Sequence, residues 1–174
     1  MPSPEAVKQA LALIEKRPVN HSYFFSKLES PDWIEPLVDA GYFADPPPPR
    51  FNGDYVSYPA WPESKYLARM APVAPTQVAE VIGQVPVTDN VSVHRDLARA
   101  VIHLSAESMA QWAAKEARWV SRQHQIEYPL GEALGTVIER LARAGRADAA
   151  MDLARPLLTI RCVPDSGRHG SVRG

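Results

Sequence analysis

A single cysteine, Cys162, stands among 174 residues, so no disulfide can brace the chain internally. Long apolar runs are equally lacking: no window approaches the roughly 18 uninterrupted apolar residues of a membrane-spanning helix. The start, Met1-Pro2-Ser3-Pro4-Glu5, has neither the basic opening nor the apolar stretch of an export signal. A cytoplasmic protein with no membrane association is therefore expected. Phosphate-binding glycine motifs, His-Glu-x-x-His and paired cysteines do not occur, which removes the usual sequence signatures of nucleotide and zinc sites. The five histidines, His21, His94, His103, His124 and His169, lack metal-ligand spacing, and each is expected to be exposed or singly hydrogen-bonded. Cys162 is expected near the end of the last helix, as a buried or tail thiol with no base beside it. No cofactor, metal or catalytic residue is expected. Net charge is also nearly missing, at −1, which excludes a uniformly basic nucleic-acid coat and an acidic disordered tail.

What the chain has is 45% hydrophobic residues and 17 prolines. A length of 174 fits one domain or a short run of repeats. Such a chain buries about 68–70% of its unfolded surface and needs no metal or disulfide to fold. Charge divides unevenly: residues 1–90 hold 7 Lys/Arg against 11 Asp/Glu, and residues 91–174 hold 12 against 9. Opposite signs in the two halves can orient a protein on a partner.

Helix signals recur along most of the sequence. Ser3-Pro4-Glu5 combines a capping hydroxyl, a proline at a harmless first position and an acid at the positive dipole end. Val7, Ala10, Leu11 and Ile14 then repeat at helical spacing, up to a stop near Arg17-Pro18. Asn20 is expected to cap a second helix bearing Phe24, Phe25 and Leu28. Ser30-Pro31-Asp32 opens a third with Trp33, Ile34, Leu37 and Val38, split or kinked by Pro36 and stopped by Gly41. Further apolar faces are Tyr66, Leu67 and Met70; Val78, Val81, Ile82 and Val85; Val93, Leu97, Val101 and Leu104; and Met109, Trp112, Ala113, Trp119 and Val120. The last two are Leu134, Val137, Ile138 and Leu141, then Ala147, Ala150, Met151, Ala154, Leu157 and Leu158, with Pro156 interrupting late. Residues 163–174 have no apolar period and read as a disordered tail after a helical domain over 1–162.

Residues 44–62 carry six prolines and no helical period, so this stretch reads as a long loop without regular structure. Pro46-Pro47-Pro48-Pro49 favours an extended polyproline helix. Pro47, Pro48, Pro49 and Arg50 are candidates for contact with an aromatic groove on a partner, while Phe51, Tyr55, Tyr58 and Trp61 suit packing back on the helices. Val85–Val93 alone alternates as a strand would, and Pro86 with Asp89-Asn90 makes it a loop.

The fold class is all-α. Short joints group the helices as antiparallel pairs, 21–29 with 31–40, 63–71 with 75–84, 91–104 with 106–123 and 131–144 with 146–158. An internal echo accompanies them: Tyr-Leu-Ala-Arg-Met at 66–70, Asp-Leu-Ala-Arg-Ala at 96–100 and Arg-Leu-Ala-Arg-Ala at 140–144. Its intervals of 30 and 44 bracket the period of helical-pair repeats.

With Pro31-Asp32-Trp33-Ile34-Glu35-Pro36-Leu37-Val38-Asp39-Ala40-Gly41, which looks like a HEAT helix with its internal proline, the chain resembles the HEAT and armadillo-like helical-repeat class over roughly residues 20–160. The resemblance implies a short right-handed α-solenoid of antiparallel helix pairs with an inserted proline-rich loop. Tyr23-Phe24-Phe25-Ser26-Lys27-Leu28-Glu29-Ser30-Pro31-Asp32-Trp33-Ile34-Glu35-Pro36-Leu37, with Trp61-Pro62-Glu63-Ser64-Lys65-Tyr66-Leu67-Ala68-Arg69, also looks like the leading helical region of large bacterial conflict or defence-type proteins. That likeness implies a module whose activity lies elsewhere in a longer polypeptide.

Two surface features remain. Lys115, Arg118 and Arg122 follow one another at three- and four-residue spacing, and Arg140, Arg143 and Arg146 cluster two helices on; together they are candidates for a stripe that binds a partner or tracks phosphates. Glu116 shares a side with Met109, Trp112 and Val120, where a carboxyl between tryptophans can act as an acid; the bland alternative is an acid paired with an arginine such as Arg118. Some HEAT-type repair glycosylases set a damaged base against tryptophans beside an acid, which Trp112, Trp119 and Glu116 match in residue type. The expectation is a non-enzymatic interaction scaffold that binds a protein or another domain of its own chain, with nucleic-acid binding as the alternative and glycosylase chemistry its remote extension.

Overall fold

The computed structural model describes residues 2–14, 18–53, 55–123 and 126–159. Cys162, His124, His169 and the expected tail lie outside them. Nine α-helices occupy the described residues: α1 (Pro4–Ile14), α2 (Pro18–Lys27), α3 (Ile34–Asp39), α4 (Pro62–Met70), α5 (Pro75–Gln84), α6 (Val91–Val101), α7 (Ala106–Val120), α8 (Tyr128–Arg143) and α9 (Ala147–Leu158). The protein is all-α in class, and among the described residues no helix is long and apolar enough to cross a membrane.

Local chemistry explains the helix ends. Ser105 caps α7 by accepting from the Ser108 amide at 3.1 Å, and Asn90 caps α6 by accepting from the Ser92 amide at 3.0 Å. Gly41, at φ +78°, lets the chain leave α3 with its own amide on Val38 O and that of Tyr42 on Leu37 O, a turn that β-carbon-bearing residues resist. The third helix is split as expected, but ahead of Pro36: a 3-10 turn over Pro31–Trp33 precedes α3. Pro36 falls in the first turn of α3, where a missing amide hydrogen matters least. Asn20 lies inside α2 and does not cap it; its side-chain amide donates to Leu13 O at 3.0 Å instead.

Residues 44–62 are not wholly irregular. Arg50–Asn52 (β1) and Tyr55–Ser57 (β2) form an antiparallel hairpin with Phe51 opposite Val56. Gly53, at φ +59°, supplies the left-handed backbone just after Asn52, which pairs with Tyr55 across the turn. Val85–Asn90 carries no strand.

Packing follows alternate helices. Helices α2, α4, α6 and α8 pack in that order, each on the one two places before it, and α3, α5, α7 and α9 do the same. One core runs through the stack, from Phe25, Leu37, Tyr66 and Leu67 through Val78, Val93 and Val101 to Trp119, Leu134 and Leu141. Leu67, Leu97 and Leu141 of the three echoed segments are all buried, on α4, α6 and α8. At the end of the stack the expected α9 face shifts: Leu153 is fully buried, whereas Met151 and Leu158 are exposed.

Three cations cap helices of their own layer. Arg69 of α4 donates to Phe25 O and, at 3.2 Å, to Leu28 O at the end of α2. Arg140 of α8 donates to Ile102 O at 2.9 Å, closing α6, and Lys115 of α7 donates to Gly83 O at 2.9 Å near the end of α5. Each cation meets the negative end of a helix dipole and satisfies a carbonyl left without an intrahelical partner.

Candidate functional site

Between the N-terminal half of α6 and the C-terminal half of α7 lies a buried polar lattice. His94 of α6 has Nδ1 2.9 and 2.8 Å from the two Glu116 oxygens of α7, and its Nε2 is 2.8 Å from Thr88 O. A carbonyl only accepts, so Nε2 carries a proton, and a second lies between Nδ1 and the carboxylate. The imidazole stacks on Trp119 with ring centres 3.6 Å apart, and Trp119 Nε1 donates to Asp89 Oδ1 at 3.1 Å. Asn90, fully buried, donates through Nδ2 to Pro47 O at 2.9 Å and Pro59 O at 2.8 Å. Together these bonds fix residues 88–90 and, through them, the proline-rich segment.

Glu116 thus takes His94 as its partner, in place of an arginine, and lines none of the cavities described below. His94 is buried and bonded at both nitrogens, contrary to the expectation of an exposed or singly bonded histidine. The bonds of Glu116 and Trp119 are occupied in bracing α6 against α7.

A second lattice joins α2, α4 and α6. Glu63 is buried with Oε1 2.7 Å from His21 Nε2, while its Oε2 has no hydrogen-bond partner among the described residues. Burial pushes the Glu63 carboxyl above its ordinary range, against the opposing pull of its backbone hydrogen bond and of His21. Ser64 donates to Asp96 Oδ2 at 3.0 Å, and burial raises the Asp96 carboxyl too. Tyr66 donates to Ser30 O at 2.8 Å. Glu63, Tyr66 and Arg69 recur every three residues on the face of α4 toward α2, the helical spacing that aligns side chains. This seam escapes a reading of apolar periodicity, because Glu63 and Asp96 look like ordinary surface acids in sequence; their places inside the apolar stripes of α4 and α6 are the one signal.

Two concavities face outward along α7. A groove of about 800 Å³ lies between α5 and α7, lined by Thr76, Glu80, Gln84, Ser108, Gln111 and Lys115 among others. A hollow of about 650 Å³ lies at the other end of α7, between Pro46, Pro48, Pro49, Val87 and Asp89 on one side and Arg122 on the other. Of the expected basic residues, Lys115 edges the groove, Arg122 the hollow, and exposed Arg118 lies between, bonded through Nε to Ala114 O of its own helix.

The other three are placed elsewhere. Arg146 pairs with Glu107 at 2.5 Å, at the N-terminal end of α7, Arg140 closes α6 beside that end, and Arg143 pairs with Glu139 at 2.6 Å. Glu107 and Arg118 are separated by about 16 Å of helix axis. The six cations therefore do not form one row. Pro47 is pinned by Asn90, whereas Pro48 and Arg50 remain exposed. The structure brings the proline segment and Arg122 to one hollow, a juxtaposition that their separation in sequence conceals. Among the described residues no group of three or more His, Cys, Asp or Glu is placed to hold a metal ion.

No protein-family model, no curated protein and no solved structure matches the chain.

Proposed function

We propose that this chain is a non-enzymatic protein-interaction module, a short HEAT-like α-solenoid that presents the α5/α7 groove to another polypeptide. The observation that carries the reading is the alternate packing of helices in two layers, with three of the steps tied by a cation from the later helix to the end of the earlier one. Stacks of helix pairs leave an extended surface that suits partner binding. The groove between α5 and α7 supports it further: it is open, edged by hydrogen-bonding side chains and backed by a rigid polar lattice.

Nucleic-acid binding is the weaker reading. Arg140 caps α6, and Arg146 and Arg143 pair with Glu107 and Glu139, which leaves three of the six cations, whereas firm backbone binding takes on the order of 6–10 phosphate contacts.

A photoreactive side chain at Gln111, exposed on the groove wall, tests the reading in living cells. The expected result is a discrete, nuclease-resistant protein adduct from Gln111 and none from the same group at exposed Glu132 on α8. Equal labelling from both positions, or adducts to nucleic acid alone, would overturn it.

A further inference from the structure

The face of α7 between its two concavities carries charge of one sign. Lys115 and Arg118 lie three residues apart on one side of α7, and Arg122 follows in the turn just past the helix end at Val120. All three are exposed. Lys115 lies on the groove and Arg122 on the hollow, so the groove, the cations and the proline-walled hollow form one continuous track. About 4.5 Å of helix axis separates Lys115 from Arg118, and Arg122 stands beyond the last turn of α7.

We propose that this track binds an acidic, extended segment of a partner protein, with carboxylates on alternate residues meeting Lys115, Arg118 and Arg122 and an apolar side chain resting on Pro46, Pro49 and Val87. This inference rests on the interaction-module reading and names the chemistry of its partner. Alternate side chains of an extended strand point the same way and repeat about every 6.6 Å, so each of three successive outward carboxylates meets one of these long, flexible cations. Arg118 and Arg122 form no salt bridge among the described residues, and Lys115 uses one of its three donors on Gly83 O. Glu80 in the groove and Asp89 in the hollow bound the basic segment at both ends. A short acidic peptide fits between them, whereas a nucleic-acid backbone, charged along its whole length, would run onto those acids.

Panning a phage-displayed library of random dodecapeptides against the full chain tests this, with an Arg118→Glu/Arg122→Glu variant and an Arg118→Gln/Arg122→Gln variant in parallel. Both positions are exposed, and each variant is first shown to melt with the wild type. The expected outcome is enrichment of peptides with Asp or Glu at alternate positions, whose affinity falls by at least about tenfold on charge reversal, through like-charge juxtaposition, and by less on neutralisation. Enriched peptides without acidic bias, or equal binding to the charge-reversed variant, overturn the inference; if a bulky Gly83 substitution in the groove displaces them, the module reading survives. Absence of any enrichment overturns both. A labelled random single-stranded oligonucleotide that binds with a steep salt dependence and is released by charge reversal would instead make the track a nucleic-acid surface.

Discussion

Arg69 of α4 reaches across to Leu28 O, 3.2 Å away at the end of α2, and so ties neighbouring helices of one layer by the charge of one and the dipole of the other. Charge-assisted hydrogen bonds to end carbonyls contribute about 1.5–3 kcal/mol each in partly buried settings. Arg69→Ala is expected to lower unfolding stability by about 1–3 kcal/mol. Chemical denaturation reads the loss, and amide exchange should speed first in the last turn of α2. Unchanged exchange there would show that the bond does not hold α2.

His94 and Glu116 form the tightest polar joint between α6 and α7. Removing one member of a buried hydrogen-bonded pair leaves the other unsatisfied, at about 1–3 kcal/mol. Glu116→Ala and His94→Ala are each expected to destabilise by that order, and the double variant by clearly less than their sum. Additive effects in a thermal-melt cycle would contradict the pairing.

Asn90 both caps α6 and holds the proline segment. Asn90→Ser keeps a capping oxygen but loses the two donor bonds to Pro47 O and Pro59 O. A loss of about 1–3 kcal/mol is expected, with proteolysis accelerated within residues 44–60 and not within α6. Cleavage that begins in α6 would show that the cap is the larger contribution.

Asp96 makes the sign of one pH effect testable. Its carboxyl is raised by burial, with the Ser64 hydrogen bond and nearby Arg95 acting the other way. A raised carboxyl keeps its proton longer in the folded chain than in the unfolded one, where it titrates near about 3.9. Stability contributed by this group is therefore full below the unfolded value and is lost as pH rises through the folded one. Glu63, also raised by burial, acts in the same direction. Asp96→Asn keeps an acceptor for Ser64 and removes the buried charge, so it should be more stable than the wild type at neutral pH, with the gap closing as pH falls toward 4. Denaturant titrations at several pH values check this; a gap that widens on acidification would reverse the assignment.

Much of the fold was legible because helix caps, proline positions and the 3.6-residue period are local. Ser105, Pro75 and Gly41 mark ends in sequence for the same reasons that they form them. The hairpin was obscured by the prolines around it, although Gly53-Asp54 is a two-residue turn signal in its own right. Leu153 was passed over because Met151 and Leu158 complete a rival stripe on α9, and only packing on α7 and α8 decides between them. The buried pairs His21–Glu63 and His94–Glu116 join residues 42 and 22 positions apart, and no local pattern encodes such a meeting. Of the surface, Lys115 and Arg118 were readable as a face of one helix, with Arg122 falling just past its end. Their continuity with Pro46, Pro48 and Pro49 depends on Asn90 folding the loop back over α7.

The most direct measurement fills the groove without touching the core. A β-carbon at Gly83 meets nothing within 4 Å, and the residue lines the α5/α7 groove, so Gly83→Trp should leave the melting temperature unchanged or raised, since it also removes a helix-interior glycine. Calorimetric titration of the protein cross-linked from Gln111 should give binding to the wild type that is lost with Gly83→Trp. Undiminished binding to a folded Gly83→Trp variant would contradict an interaction module that works through this groove.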